Sequence, residues 1–426
     1  MMFDFHSVPR IVFGRGQFAR AGELAAALGD KALIVSSASA ARTGLTARLG
    51  EMLQQAGVAG TVVEQVGEPQ VDDVDAALAT ARREACTLAI GLGGGSAIDA
   101  AKAVAGLVAN GGRAGDYMEV VGLGKKITQP AIPWIAIPTT AGTGAEVTRN
   151  AVIAWKEKGF KASIRSEHLL ARVAIVDPEL GVGVPPDVTA RCGMDAVCQL
   201  IESYTSTNAN PMTDGLALQG TYLAGWALRA AYARPDDLDA REAMALAALL
   251  SGITLTNAGL GAVHGLAAPL GARLPVPHGT VCAALLGPVI RANIAALREQ
   301  KAGGGAPAVR AKGFLSRYGS IGIPVMNIPP NQIVEDLGAV PNVHAPGYWT
   351  RMEEFIAGFD GMLVDAAAEG CESLARDLKI PPLGEFGLDE ATADEVAQLA
   401  QKSSSMKYNP VPLSAETLKD ILLKAM

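Results

Sequence analysis

IGLGGGSAIDAAKAVAGLVA, residues 90–109, is the stretch on which the fold turns. The apolar run TLAIGL (87–92) leads into Gly93-Gly94-Gly95-Ser96, and an Ala-rich helical pattern follows. Strand, glycine turn and helix in that order make the repeating unit of an α/β domain. Glycines let the backbone approach a phosphate closely, and a helix start presents unpaired N–H groups at its positive dipole end. Ser96 is expected to cap the helix and to offer a hydroxyl, with Asp99 and Lys102 on the next turn. The pattern is neither G-x-G-x-x-G nor a Gly-Lys-Ser/Thr phosphate loop. A tight turn without a ligand remains the other reading of this stretch alone.

A second loop, PTTAGTGAEVT (138–148), again follows a strand pattern, WIAI, and gathers Thr139, Thr140 and Thr143 with two glycines. Two such loops point to one crevice, because ligands of open α/β sheets sit at the carboxyl ends of strands. KALIVSS (31–37), GTVVEQV (60–66), AVIAW and VAIVDP (173–178) extend the strand series, with helical spacing in VDDVDAALATARREA (71–85). From about residue 186, Ala- and Leu-rich helical patterns take over, at 187–204, 212–232, 240–260, 279–296, 362–378 and 388–402. The expectation is an α/β domain over 1–184 and an all-helical domain over 185–426, hinged at Val184-Pro185-Pro186, where proline fixes φ and restricts the residue before it. KAGGGAPAVRAKG (301–313) reads as a loop.

The 426 residues suffice for two domains. The 36 basic and 43 acidic residues give a net charge of −7, which argues against nucleic acid or an anionic membrane as the partner. No apolar run is read as reaching the roughly eighteen residues of a membrane span. The amino end carries Asp4 and lacks a signal-peptide pattern, so a cytoplasmic location is the default expectation. Cys86, Cys192, Cys198, Cys282 and Cys371 show no paired spacing and read as reduced thiols. Cys198 stands close to the candidate metal residues, most simply as a small buried filler.

Those metal residues come from two segments. His264 and His278 lie in the apolar stretch LGAVHGLAAPLGARLPVPHGTV, the first near the end of a helical run and the second where a helix begins. TARCGMDAVCQLIESY supplies Asp195, with Gln199 one turn on and Glu202 a turn further. One carboxylate and two imidazoles suit Fe²⁺ or Zn²⁺ with a position left for substrate. Ordinary core histidines and a helix-start acid are the alternative.

With these segments in hand, the chain resembles the iron-containing (group III) alcohol dehydrogenases nearly end to end. The resemblance runs through VPRIVFGRGQ (8–17), GGGSAIDAAK (93–102), PTTAGTGAEVT (138–148), VDPEL (176–180), GMDAV (193–197), ANPMTDGLAL (209–218), VHGLAAPLG (263–271), PHG (277–279) and SSSMKYNPVPLS (403–414). It implies a dinucleotide-binding α/β domain followed by an all-helical metal domain, as in dehydroquinate synthase-like folds, with the active site in the cleft between them. It implies that Gly94, Gly95 and Ser96 hold a cofactor pyrophosphate, that Thr139, Thr140 and Thr143 line the rest, and that Lys161 reaches a ribose. Asp195, His264 and His278 match three metal ligands. Three positions depart from the family: Gln199 replaces its usual fourth-ligand histidine, Ala268 a histidine near the nicotinamide, and Ser37 the aspartate that binds the ribose 2′-hydroxyl. With no carboxylate at 37 to repel a 2′-phosphate, NADP joins NAD as a candidate.

The implied reaction is direct hydride transfer between NAD(P) and a small alcohol or polyol and its carbonyl partner, in a homodimer or larger homo-oligomer. Three other readings stay open: a metal-free enzyme of the maleylacetate reductase kind, a dehydroquinate synthase-like lyase, and a catalytically silent nicotinamide-binding protein. Substrate-pocket walls are expected around 149–151, 254–260 and 350–363, and His344 and Trp349 read as a surface loop.

Overall fold

The structure is a computed structural model that describes residues 2–325 and 348–426. His344 and the side chain of Trp349 lie outside the described residues. Contacts divide the chain into two compact units, Met1–Cys192 with Arg234–Asn257, and Gly193–Ala233 with Ala258–Met426.

The first unit is built on a six-stranded sheet in the order β1-β8-β5-β4-β2-β3. Its strands are β1 (Ile11–Phe13), β2 (Lys31–Ser37), β3 (Ala59–Gln65), β4 (Leu88–Gly93), β5 (Trp134–Pro138) and β8 (Val173–Val176). Every pairing is parallel. Leu88, Ala89, Ile90 and Leu92 of β4 are all fully buried, as expected of a central parallel strand covered on both faces. Helices α1 (Ala21–Ala26), α2 (Ala38–Arg42), α3 (Leu45–Gln55), α4 (Val71–Arg83), α5 (Gly95–Asn110) and α6 (Ala114–Tyr117) follow the early strands. The sheet has two separate apolar clusters. One joins Leu33 and Val35 to α4 and α5, and the other joins Ile34 and Ile90 to α1 and α3.

AVIAW does not join this sheet. It lies in β6 (Asn150–Trp155), which pairs antiparallel with β7 (Phe160–Arg165) as a separate ribbon. Only a four-residue turn separates these strands, and a parallel crossover needs a dozen or more residues.

Long helices dominate the rest: α7 (Pro186–Tyr204), α8 (Pro211–Ala233), α9 (Leu238–Ala258), α10 (Ala262–Gly271), α11 (His278–Ala302), α12 (Gly305–Val325), α13 (Tyr348–Asp377), α14 (Glu390–Ala400) and α15 (Ala415–Lys424). Helix α7 passes from the first unit into the second at Cys192, and α9 belongs to the first. Within the second unit α11, α12 and α13 pack on one another.

Two expectations are corrected here. Residues 301–313 are not a loop: Gly303 and Gly304 separate α11 from α12, and APAVRAK is helical. Pro307 falls in the first turn of α12, where its missing N–H has no helical partner to lose. The apolar-run reading also missed α11, which is long and apolar enough to cross a membrane by length and composition. The helix is 67% buried inside the fold in that window, and it forms the core of the second unit.

Candidate active site

The first unit brings Ser37, the Gly94–Ser96 turn and the threonine loop together at the carboxyl ends of β2, β4 and β5, while Lys161 lies on β7 and Asp99 inside α5. The chain runs outward from β2 to β3, then returns to place β4 on the other side of β2. Such a reversal leaves a crevice beyond the strand ends. Gly93 closes β4 at φ +151°, and a Cβ there would lie 2.6 Å from the Cβ of Ser37. Only glycine allows both that dihedral and that approach. Thr139 N–H donates to the Gly93 carbonyl at 2.9 Å. A Cβ on Gly94 would sit 3.3 Å from Thr140 Oγ1, and one on Gly95 2.8 Å from Thr143 Oγ1. The two loops therefore face each other, with bare backbone on one side and hydroxyls on the other.

Helix α5 starts at Gly95 with Gly94 as its N-cap and no side-chain cap bond. Ser96 is therefore not the cap, because it already lies inside the first turn. The N-terminal N–H groups stay without a capping side chain, as an anion site requires. Ser37 caps α2 instead, accepting from Ala40 N–H at 3.2 Å. Asp99 binds Lys102 Nζ at 3.1 Å and accepts from Val152 N–H at 3.0 Å. Lys102 is fully buried and also donates to Thr148 Oγ1 and the Asn150 carbonyl. These two groups brace α5 against β6. Lys161 pairs with Glu68 at 2.6 Å, and its charge helps draw the Asp99 carboxyl down against the larger upward push of burial. Burial also pushes Glu146, in the threonine loop, up to about 7 despite the pull of Lys102.

The second unit gathers the metal candidates. Asp195 lies on α7 and is buried. His264 lies in the first turn of α10, not near the end of a helix, because Gly259–Gly261 breaks the preceding apolar run. His278 is the first residue of α11. His264 Nε2 and His278 Nε2 stand 3.3 and 3.7 Å from Asp195 Oδ1. Gln199 is buried on α7 one turn beyond Asp195.

Glu202 arranges this group. Its Oε1 accepts from Val263 N–H at 2.6 Å, which satisfies an orphan donor at the start of α10. Its Oε2 lies 2.6 Å from His264 Nδ1. A carboxylate there accepts a hydrogen bond from Nδ1–H, which favours the tautomer with its Nε2 lone pair facing Asp195, the arrangement found behind metal-bound histidines. The spacing 195, 199, 202 on one helix face carried this signal in the sequence.

Sequence reasoning did not single out Cys282. Asp195, His264, His278 and Cys282 offer four donor atoms that all lie within 4.8 Å of one another. Cys198 is buried beside them, its Sγ 3.8 Å from His264 Nδ1. Burial alone would push the His264 imidazole down, but Cys282, Asp195 and Glu202 hold it well above the ordinary histidine value. Burial would likewise raise Cys282, but Cys198 and the two imidazoles hold it well below the ordinary thiol value. Arg273, the lone arginine of the histidine segment, pairs with Glu395 at 2.6 Å.

The donor chemistry fits a divalent cation: carboxylate, imidazole and thiol groups converge at coordination spacing, with a carboxylate fixing one imidazole. The crevice in turn fits a dinucleotide phosphate. Comparison with known proteins places the chain in one family. Residues 9–178 match the profile described as iron-containing alcohol dehydrogenase, and residues 189–310 match its C-terminal family profile. The probable alcohol dehydrogenase EutG of Escherichia coli strain K12 is 41% identical over 297 residues, covering 69% of this chain and 74% of that protein. Alcohol dehydrogenase 4 of Schizosaccharomyces pombe is 31% identical over 418 residues, covering 97% and 87%. The crystal structure of a 1,3-propanediol oxidoreductase superposes over the whole of both chains with a TM-score of 0.83 at 30% identity. On the matched lengths of both halves, the chain belongs to the iron-containing alcohol dehydrogenase family.

Proposed function

We propose that this protein is a metal-dependent, NAD(P)-linked alcohol dehydrogenase, interconverting a small alcohol or polyol and its aldehyde or ketone by direct hydride transfer. The carrying observation is the convergence of Asp195, His264 and His278, with a Glu202 oxygen 2.6 Å behind His264 at Nδ1. The proposal keeps the functional division of the chain as a cofactor domain over 1–184 and a metal and substrate domain over 185–426.

On this reading Gly94, Gly95 and Ser96 bind the cofactor pyrophosphate at the start of α5. Thr139, Thr140 and Thr143 line the ribose and nicotinamide, and Lys161 reaches a ribose hydroxyl. Asp99 serves from behind, holding Lys102 and the β6 backbone. Ser37 places no carboxylate against a 2′-phosphate, so both NAD and NADP are accepted. Asp195, His264 and His278 hold Fe²⁺ or Zn²⁺, with the Gln199 amide as a further oxygen donor one turn from Asp195. The ion supplies Lewis-acid polarisation of the substrate oxygen, which eases alcohol deprotonation or carbonyl reduction. Ala268 offers no proton-carrying group, so the alcohol proton leaves through water or a ribose hydroxyl. With Arg273 engaged by Glu395, the histidine segment offers no free cation to a phosphate-bearing substrate. The proposal includes a cytoplasmic location and a homodimer or larger homo-oligomer.

The test is oxidation of NADH and NADPH, followed at 340 nm, with short aldehydes, ketones and polyols before and after chelation. Turnover that is lost on chelation and restored by Fe²⁺ or Zn²⁺ supports the proposal. Turnover indifferent to chelation favours a metal-free reductase. Cofactor binding with no net redox change across the panel favours a lyase or a silent binding protein.

A further inference from the structure

Resting on the reading that Asp195, His264 and His278 hold a metal, the geometry points to Cys282, rather than Gln199, as the fourth protein ligand, in an Asp-His-His-Cys site that prefers Zn²⁺ to Fe²⁺ and keeps a further position for the substrate oxygen. Cys282 follows His278 by one helical turn on α11, so both side chains face the same side. Cys282 Sγ lies 3.6 Å from His278 Nε2 and 3.8 Å from His264 Nε2. Asp195 Oδ1 completes the group at 3.3 and 3.7 Å from the two imidazoles. Donors at about 2.0–2.3 Å from a tetrahedral zinc ion are about 3.3–3.8 Å apart. All four separations fall on that edge length.

Donor chemistry leads to the same residue. An anionic thiolate binds a divalent cation more strongly than the neutral Gln199 amide does. Thiolate is also the soft donor that suits zinc, and nitrogen and sulfur sites generally bind Zn²⁺ above Fe²⁺. Cys282 itself is fully buried, which argues against a role as an exposed redox thiol.

The experiment loads the full-length, metal-stripped protein with Co²⁺ and records its near-ultraviolet and visible absorption. One thiolate ligand gives a sulfur-to-cobalt charge-transfer band in the wild-type protein. The band is retained in Cys198→Ala and lost in Cys282→Ser, and Cys282→Ser binds Zn²⁺ about 100-fold more weakly. In direct competition, Zn²⁺ displaces Fe²⁺ from the wild-type protein. Stoichiometric Co²⁺ without a charge-transfer band, or a band that survives Cys282→Ser, overturns Cys282 as the ligand while leaving the metal reading intact. Failure of the wild-type protein to bind Co²⁺, Zn²⁺ or Fe²⁺ overturns both. If Cys282→Ser does not fold, the wild-type and Cys198→Ala spectra decide together: no band in the wild type, or a band lost in Cys198→Ala, overturns Cys282 as the ligand.

Discussion

Glu202 joins two functions in one carboxylate, one oxygen on the Val263 amide and the other on His264 Nδ1. Glu202→Gln keeps an oxygen acceptor but removes the charge that favours the Nδ1–H tautomer. It should weaken metal binding about 10- to 100-fold, read by chelator competition, and leave NAD(P)H affinity unchanged by fluorescence titration. Glu146 gives a pH signature. Its folded value, about 7, lies above the ordinary 4.5, so the folded state holds the proton more tightly. Glu146 therefore contributes stability that is lost as pH rises from 4.5 through 7. Glu146→Gln should be more stable than wild type at pH 8 by roughly 1–3 kcal/mol and should lose that advantage near pH 4, as seen in urea midpoints. The clustering of Asp195 with the two histidines was legible because such side chains stand out in apolar sequence. Cys282 was not, because a buried thiol reads as a small apolar filler until its neighbours are known. Ser96 misled because serine is a favoured cap, yet Gly94 takes that position through its extended backbone.

Among the elements, the β4–α5 turn is where the proposed cofactor site is most easily tested. Gly95 faces Thr143 across the crevice, where an added Cβ meets a hydroxyl oxygen at 2.8 Å. Gly95→Val fills the space a pyrophosphate would occupy and should weaken NAD(P)H binding at least about tenfold, measured by fluorescence titration. Its melting temperature should stay near wild type, because Thr143 is exposed and can turn away. The turn was readable because a buried parallel strand and a glycine-rich helix start have a combined pattern. The β6–β7 ribbon was less so. AVIAW has the composition of a sheet strand, and only its short turn to FKASIR excludes a parallel crossover. Residues 301–313 read as a loop because glycine dominates the eye, while the alanines that follow it set the helix.

At the scale of the molecule, the sequence shows a change from alternating strands and helices to helices alone. It does not show that α9, far along the chain, groups by contacts with the sheet. Such grouping depends on which helix faces meet, and helical periodicity marks an apolar face without naming its partner. The buried central strands β4 and β5 support one polar cluster, and the apolar core around α11 supports another. The central claim is that these sites act in one reaction: hydride leaves the substrate carbon for nicotinamide, with the metal residues activating the substrate oxygen. The most direct measurement is deuterium transfer from a 1-deuterated alcohol to the oxidised cofactor, comparing metal-replete with metal-stripped protein. The account predicts deuterium in the reduced nicotinamide from the replete protein and transfer slowed by several orders of magnitude in the stripped one. Equal transfer without metal, or a nicotinamide that shows no net reduction, would contradict it.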